Sequence, residues 1–211
     1  MTAAITRRSL LLSGLVFLGS GLAAGAKANA LYGGEDQEYF NPDLLPPAES
    51  EIDYPIEPVN PRRIRKKFRR TVVEHTGFEV APGNELNGIF VDPDNRYLYH
   101  VIAPGQATRY GVGVGRQGFE WSGDAIVGIK RRWPRWVPPR TMVDRDANAL
   151  RWVNGQPGGP DNPLGARALY LYANGVDTLY RIHGTNDPSS IGKAMSSGCI
   201  RMANEDVIDL Y

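Results

Sequence analysis

From residue 71 onward the apolar residues of this chain come in short runs separated by Gly, Pro, Asn and Asp, which leaves room for strands and for almost no long helix. Ile89-Phe90-Val91 and Tyr97-Leu98-Tyr99-His100-Val101-Ile102 flank Asp92-Pro93-Asp94-Asn95, a pattern that predicts a hairpin. Further strands are expected at 110–114, 125–129, 169–172 and 178–183. One late helix is expected at 205–211, with Asn204 as its cap and Glu205 and Asp206 in the first turn, where the helix dipole favours acids. The fold class that follows is mostly β. The long connections 131–139 and 154–165, rich in Pro, Gly and Trp, read as shaped surface loops framing a cleft.

Ahead of this domain the chain changes character three times. Residues 1–30 combine Arg7 and Arg8, an uncharged stretch from Ser9 to Ala26 and small residues ending Ala28-Asn29-Ala30, the layout of an export signal cut after Ala30. The run Thr6-Arg7-Arg8-Ser9-Leu10-Leu11 resembles a twin-arginine signal. An ordinary Sec signal and a retained anchor are the other readings, the anchor weakened by Gly14, Gly19, Gly21 and Gly25. All predict export into a bacterial envelope, with the twin-arginine and Sec readings placing the protein in the periplasm. Residues 31–61 read as an acidic, Pro-rich tether: 31–60 hold eight acids, five prolines and no Lys or Arg. Residues 62–84 read as a basic lead-in that opens with seven bases in the nine residues 62–70. This run is either a solvated approach to the first strand or a grip on an anionic polymer or lipid surface.

Charge and cysteine usage remove several function classes. The formal net charge is +1, and residues 1–30 carry three of the 24 Lys and Arg residues and no acid, so the remainder stands at −2. Overall charge therefore gives no support for a nucleic-acid partner. One Cys and three His exclude a disulfide framework and Cys-rich zinc or iron–sulfur sites. No two His share metal-ligand spacing, so no metal and no other cofactor is expected.

Cys199 can be an apolar filler, an intermolecular bridge or a reactive thiol, and its neighbours favour the third. In Ser196-Ser197-Gly198-Cys199 the glycine lets the backbone bend sharply, so that amide N–H groups converge on an anion beside the sulfur, the geometry of an oxyanion hole. Sixteen residues earlier, Thr178-Leu179-Tyr180-Arg181-Ile182-His183 alternates as a strand and stops at Gly184, which leaves His183 at a strand end. A thiol of ordinary pKa about 8.5 is mostly protonated at neutral pH, and an adjacent imidazole takes and returns its proton. His75 and His100 have no such context.

At these residues a family becomes recognisable. His183-Gly184-Thr185, then Ser196-Ser197-Gly198-Cys199-Ile200-Arg201-Met202 and Asn204, closely resemble the signature of the L,D-transpeptidase catalytic (YkuD-type) domain. The resemblance extends through Ile89-Phe90-Val91-Asp92, Arg96-Tyr97-Leu98-Tyr99, Tyr110-Gly111-Val112-Gly113-Val114-Gly115, Lys130, Pro134-Arg135-Trp136 and Asn162-Pro163-Leu164-Gly165, roughly residues 85–211 in order. It implies a β-sandwich with short helices and a bacterial cell-wall acyltransferase. Such an enzyme attacks the third residue of a peptidoglycan tetrapeptide stem, expels D-Ala and transfers the resulting thioester to an amine. That amine belongs to another stem, giving a 3→3 cross-link, or to an envelope protein.

The same resemblance makes Cys199 the nucleophile and His183 the base and later acid. It gives oxyanion or supporting roles to Gly198, Ser197 and Gly184, and substrate contacts to Arg201, Ser196, Thr185 and Trp136. Ser197 stands where the family most often has His. Arg201 either forks onto a substrate carboxylate or braces an internal Asp or carbonyl. Trp133 and Trp136 either line the donor groove or belong to a rigid packed loop. With water as acceptor the product would be that of an L,D-carboxypeptidase or a wall-protein-releasing hydrolase. A non-enzymatic wall-binding module would need neither the thiol nor His183. Sortases call for Thr-Leu-x-Thr-Cys, and papain-like peptidases place Cys before His; neither fits.

Overall fold

A computed structural model describes residues 50, 52–74, 88–116, 122–144, 146–196 and 198–211, and in addition the strand Ala4–Thr6. The strands, in chain order, are β1 (Ala4–Thr6), β2 (Thr71–Glu74), β3 (Ile89–Asp92), β4 (Tyr97–Ala103), β5 (Gln106–Gly111), β6 (Val114–Gly115), β7 (Ala125–Arg132), β8 (Arg167–Ala173), β9 (Val176–His183), β10 (Ala194–Ser196) and β11 (Ile200–Arg201). Three short helices accompany them: α1 (Arg140–Val143), α2 (Ala147–Leu150) and α3 (Asn204–Leu210). The described chain is thus mostly β, as the punctuated sequence predicts.

Local chemistry sets the turns and the sheet takes over from there. Asp92 accepts from the Asn95 N–H at 3.0 Å, and Arg96 adopts φ +65, which closes the expected hairpin with Ile89 opposite His100 and Asp92 opposite Tyr97. The main sheet has nine strands in the order β11-β9-β8-β7-β1-β3-β4-β5-β2, and β10 pairs with β6 in a second, two-stranded sheet. β1 alone joins the two halves of the main sheet, parallel to β3 and antiparallel to β7. One apolar core draws on both halves: Ile89, Val91, Leu98 and Tyr110 meet Leu169, Leu171, Ile182, Ile200 and Met202, with Val207 and Leu210 of α3 packed on them. Tyr110 also donates to Asp209 at 2.7 Å, tying β5 to α3.

The fold begins before residue 85, where the sequence put its start. β2 pairs with β5 from Thr71 opposite Arg109 to Glu74 opposite Gln106. The basic run is pinned through Ile64 and Phe68, which are buried in a cluster with Ile191 and Ala203, while its bases stay on the outside. Residues 50 and 52–60, from the last part of the expected tether, also touch the domain. Asp53 accepts from the Trp133 indole at 2.9 Å and from Arg167 at 3.3 Å, and the Val59 N–H donates to Glu205 at 2.7 Å. Tyr54 meets the edge of the Trp133 ring at 5.3 Å. The expected export signal and the rest of the tether lie outside the described residues, Ala4–Thr6 and residue 50 apart.

Two details of the helices differ from expectation. α1 and α2 were not foreseen, because four-residue helices carry no periodic signal. Asn204 is the first residue of α3 and Ala203 its cap. The Asn204 carboxamide is used elsewhere, accepting from the Ala166 and Thr185 N–H groups at 3.0 and 3.1 Å. Among the described residues no helix is long and apolar enough to cross a membrane.

Candidate active site

β9 and β11 build the site. They run parallel with Ile182 opposite Ile200 and His183 opposite Arg201, so Cys199, just before β11, stands beside Arg181. Ile182 and Ile200 point into the core, which turns His183, Arg181 and Arg201 to the other face. The register therefore puts Cys199 next to Arg181 and His183 opposite Arg201 at one edge of the main sheet.

His183 is buried, and its Nδ1 lies 2.6 Å from the Gly184 carbonyl oxygen, which fixes the Nδ1–H tautomer. Burial, aided by the charges of Arg201 and Arg181, pushes its pKa down to about 3. Burial also pushes the Cys199 thiol up. The Arg181 charge, the Arg181 main-chain N–H and the Arg201 charge pull it back, and Asp177 raises it again. At rest the thiol and the imidazole are thus both neutral. Such a pair can carry out nucleophilic acyl transfer, with the proton leaving sulfur as the new bond forms.

The residues around the pair divide into those that support it and those that remain open. Gly198 has φ +119, a conformation that favours glycine, and its N–H donates to the Ser196 hydroxyl at 3.2 Å. That corrects the expectation of a free Gly198 oxyanion donor: in this arrangement the N–H is engaged. The Ser196 hydroxyl in turn donates to the Cys199 carbonyl oxygen at 2.6 Å, and Ser196 is buried. Thr185 is buried too, with its hydroxyl accepting from the Asp187 N–H at 3.0 Å. The Ser196 and Thr185 hydroxyls thus brace their own loops. Gly184 supplies the carbonyl that orients His183, a supporting role as expected. Ser197 and His75 lie outside the described residues.

Arg201 bonds through its main chain to Gly113 in both directions at 2.8 Å, while its Nε is buried and has no hydrogen-bond partner among the described residues. Trp133 is buried, with its indole on Asp53, and so belongs to the packed loop. Trp136 is half-buried and its main chain pairs with Gln156. Sequence reasoning did not give Asn162 a role, although it lay in a quoted motif. It is buried, its amide reaches the carbonyls of Pro134, Gln156 and Pro157, and its Oδ1 accepts from the Leu164 N–H. Leu164 contributes a main-chain carbonyl facing the His183 ring, so Asn162 organises the loop above the imidazole.

Comparison with known proteins bears on this site. The model of the L,D-transpeptidase catalytic domain (YkuD) matches residues 87–211. A probable L,D-transpeptidase of Escherichia coli (strain K12), ErfK/SrfK, is 31% identical over 136 residues, covering 63% of this chain and 42% of the relative. The putative L,D-transpeptidase YqjB of Bacillus subtilis (strain 168) is 52% identical over 62 residues, 29% of this chain and 35% of the relative. The chain thus spans about two fifths or less of the length of these relatives. A crystal structure from Brucella melitensis, described as a probable carnitine operon oxidoreductase, is 48% identical with a TM-score of 0.51. It covers 72% of this chain and 91% of that one.

Proposed function

Because the chain belongs to the L,D-transpeptidase catalytic domain family, we propose that it is a cysteine acyltransferase acting on peptidoglycan stem peptides in the periplasm. The observation that supports this reading is the β9–β11 register, which puts Cys199 next to Arg181 and His183 opposite Arg201. Cys199 Sγ attacks the carbonyl carbon of the third stem residue, and its proton passes to His183 Nε2. The carbon–nitrogen bond to D-Ala breaks, that amine leaves with the proton from His183, and a thioester remains on Cys199. An acceptor amine then attacks the thioester, and His183 returns the acceptor's proton to the thiol. The Cys199 N–H stabilises the oxyanion. The orphaned Nε of Arg201 suits a donor carboxylate, whose charge-assisted bond would satisfy it.

The acceptor is a stem amine or an envelope-protein amine, and water would make the same site an L,D-carboxypeptidase. Mass spectrometry of purified wall material incubated with the protein separates these outcomes. New 3→3 dimers or wall-linked protein support transfer, shortened stems alone support hydrolysis, and unchanged wall rejects the proposal.

The seven bases at 62–70 form the wall-facing side of this reading. The run is pinned by Ile64 and Phe68, and four of its bases, Lys66, Lys67, Arg69 and Arg70, line an open cavity of about 590 Å³ together with Thr71 and Arg109. Such a surface binds anionic envelope polymer or lipid in a salt-dependent way. Sedimentation with envelope fragments at two salt concentrations tests this; equal binding at both, or none, counts against it.

A further inference from the structure

β9 does not run straight to His183. Tyr170 of β8 pairs with Arg181 and Tyr172 pairs with Asp177, so the single residue Leu171 faces three residues, 178–180. The bulge is held by its own polar groups. The Thr178 hydroxyl donates to the Leu171 carbonyl at 2.7 Å, the Leu179 N–H to Asp177 at 2.8 Å and the Tyr180 N–H to the Thr178 oxygen at 3.2 Å. Leu179 sits at φ +61, a left-handed conformation that is strained for a residue with a branched side chain.

The bulge makes one contact that a regular strand forbids. Residues four apart in a strand are about 13 Å apart, beyond the reach of an Asp. Here Asp177 folds back onto Arg181 in a bidentate pair, Nη1 to Oδ1 at 2.6 Å and Nη2 to Oδ2 at 2.7 Å. The guanidinium also lies over the Tyr170 ring, 4.3 Å from its centre, and donates to the Tyr180 carbonyl at 2.9 Å. The pair is largely enclosed, with side chains 13% and 17% exposed. A bulge, a strained backbone, a bidentate ion pair and an aromatic platform all converge on the residue next to Cys199 and two before His183. Bulges beside active sites re-aim side chains, and strain is retained where the surroundings over-determine it.

We propose that the Asp177–Arg181 latch is a positioning device for the nucleophile: by closing the β9 bulge it holds Arg181 against Cys199 and sets the sulfur relative to His183. The inference rests on the reading of Cys199 and His183 as the reacting pair. The charged groups acting on the thiol are Arg181 and Asp177 of β9 and Arg201 beyond it, with Asp187 behind Arg201. Asp177 offsets part of the Arg181 charge at the thiol, and the action proposed for the latch is placement.

Two variants separate those two modes. Asp177→Asn unmasks the Arg181 charge, and Arg181→Gln removes it, so a purely electrostatic role would shift thiol reactivity in opposite directions. Positioning predicts that both slow acylation by a soluble tetrapeptide donor by about tenfold to a hundredfold through kcat, with KM little changed. The exchanged pair, Asp177→Arg with Arg181→Asp, should recover part of the loss. The second readout is the pH profile of iodoacetamide alkylation of Cys199, the only thiol, in folded full-length protein. It needs no donor, so it reports on the latch even if no transfer is found. Should either single variant not fold, Arg181→Lys, which keeps the charge and loses the fork, takes its place and is expected to slow acylation likewise. Opposite shifts in the two variants, or wild-type acylation in any folded one, would overturn the proposal.

Discussion

His183 carries two consequences of its burial. It is neutral in the folded protein down to about pH 3, against an ordinary value of 6.5, so the unfolded chain binds more protons in between. Stability contributed by the neutral ring is therefore complete above pH 6.5 and is lost as pH falls toward 3. Buried Asp206 acts the other way: desolvation raises it to about 6 from 3.8, so its contribution is complete below 3.8 and lost as pH rises through 6. The two slopes oppose each other between pH 4 and 6. His183→Gln should abolish one of them and leave stability falling as pH rises through that window, which urea midpoints at pH 4, 5 and 6 will measure. Kinetically, His183→Ala should slow thioester formation by about 10²–10⁴-fold at neutral pH, whereas His100→Ala should leave the chemical step nearly unchanged in single-turnover assays. The roles proposed for Cys199 and His183 were legible because a lone thiol after a glycine and an imidazole at a strand end are local patterns. The braces were not. Ser196 and Thr185 look the same in sequence whether their hydroxyls face a substrate or their own backbone, and only the fold decides.

Among the elements, the hairpin β3–β4 and the strand β9 could be read from alternation and turn chemistry, yet the bulge within β9 could not, since Leu179 carries no mark of its left-handed backbone. The segment before β2 was hidden for a different reason. Its partners lie far along the chain, with Asp53 meeting Trp133 80 residues away and Val59 meeting Glu205 146 residues away. A local reading sees only acids and prolines there. The basic run likewise showed its charge and concealed its anchors, Ile64 and Phe68. Phe68 packs so closely on Gly192 that an added Cβ would lie 2.1 Å from its ring, at a residue already at φ +81. Phe68→Ala should accordingly cost about 3 kcal/mol in denaturant unfolding, whereas Lys66→Ala and Lys67→Ala, on the exposed side, should fall within about 0.5 kcal/mol of wild type.

For the whole molecule, the division of the main sheet follows from where β1 sits. Without it the order separates into β11-β9-β8-β7 and β3-β4-β5-β2, two four-stranded layers that share one core. Among the described residues no member of that core precedes Ile89, and the satellite cluster begins at Val59. A chain starting at residue 31 should therefore keep cooperative unfolding and acylation by a soluble donor; loss of either would make β1 integral to the domain. The acyl-enzyme itself is the most direct test of the account. Intact-protein mass spectrometry, after brief incubation with a tetrapeptide stem donor, should show one adduct of the donor less D-Ala. Peptide mapping should place it on Cys199, and Cys199→Ala should show none. An adduct that persists in folded Cys199→Ala, or release of D-Ala at the wild-type rate by that variant, would contradict it.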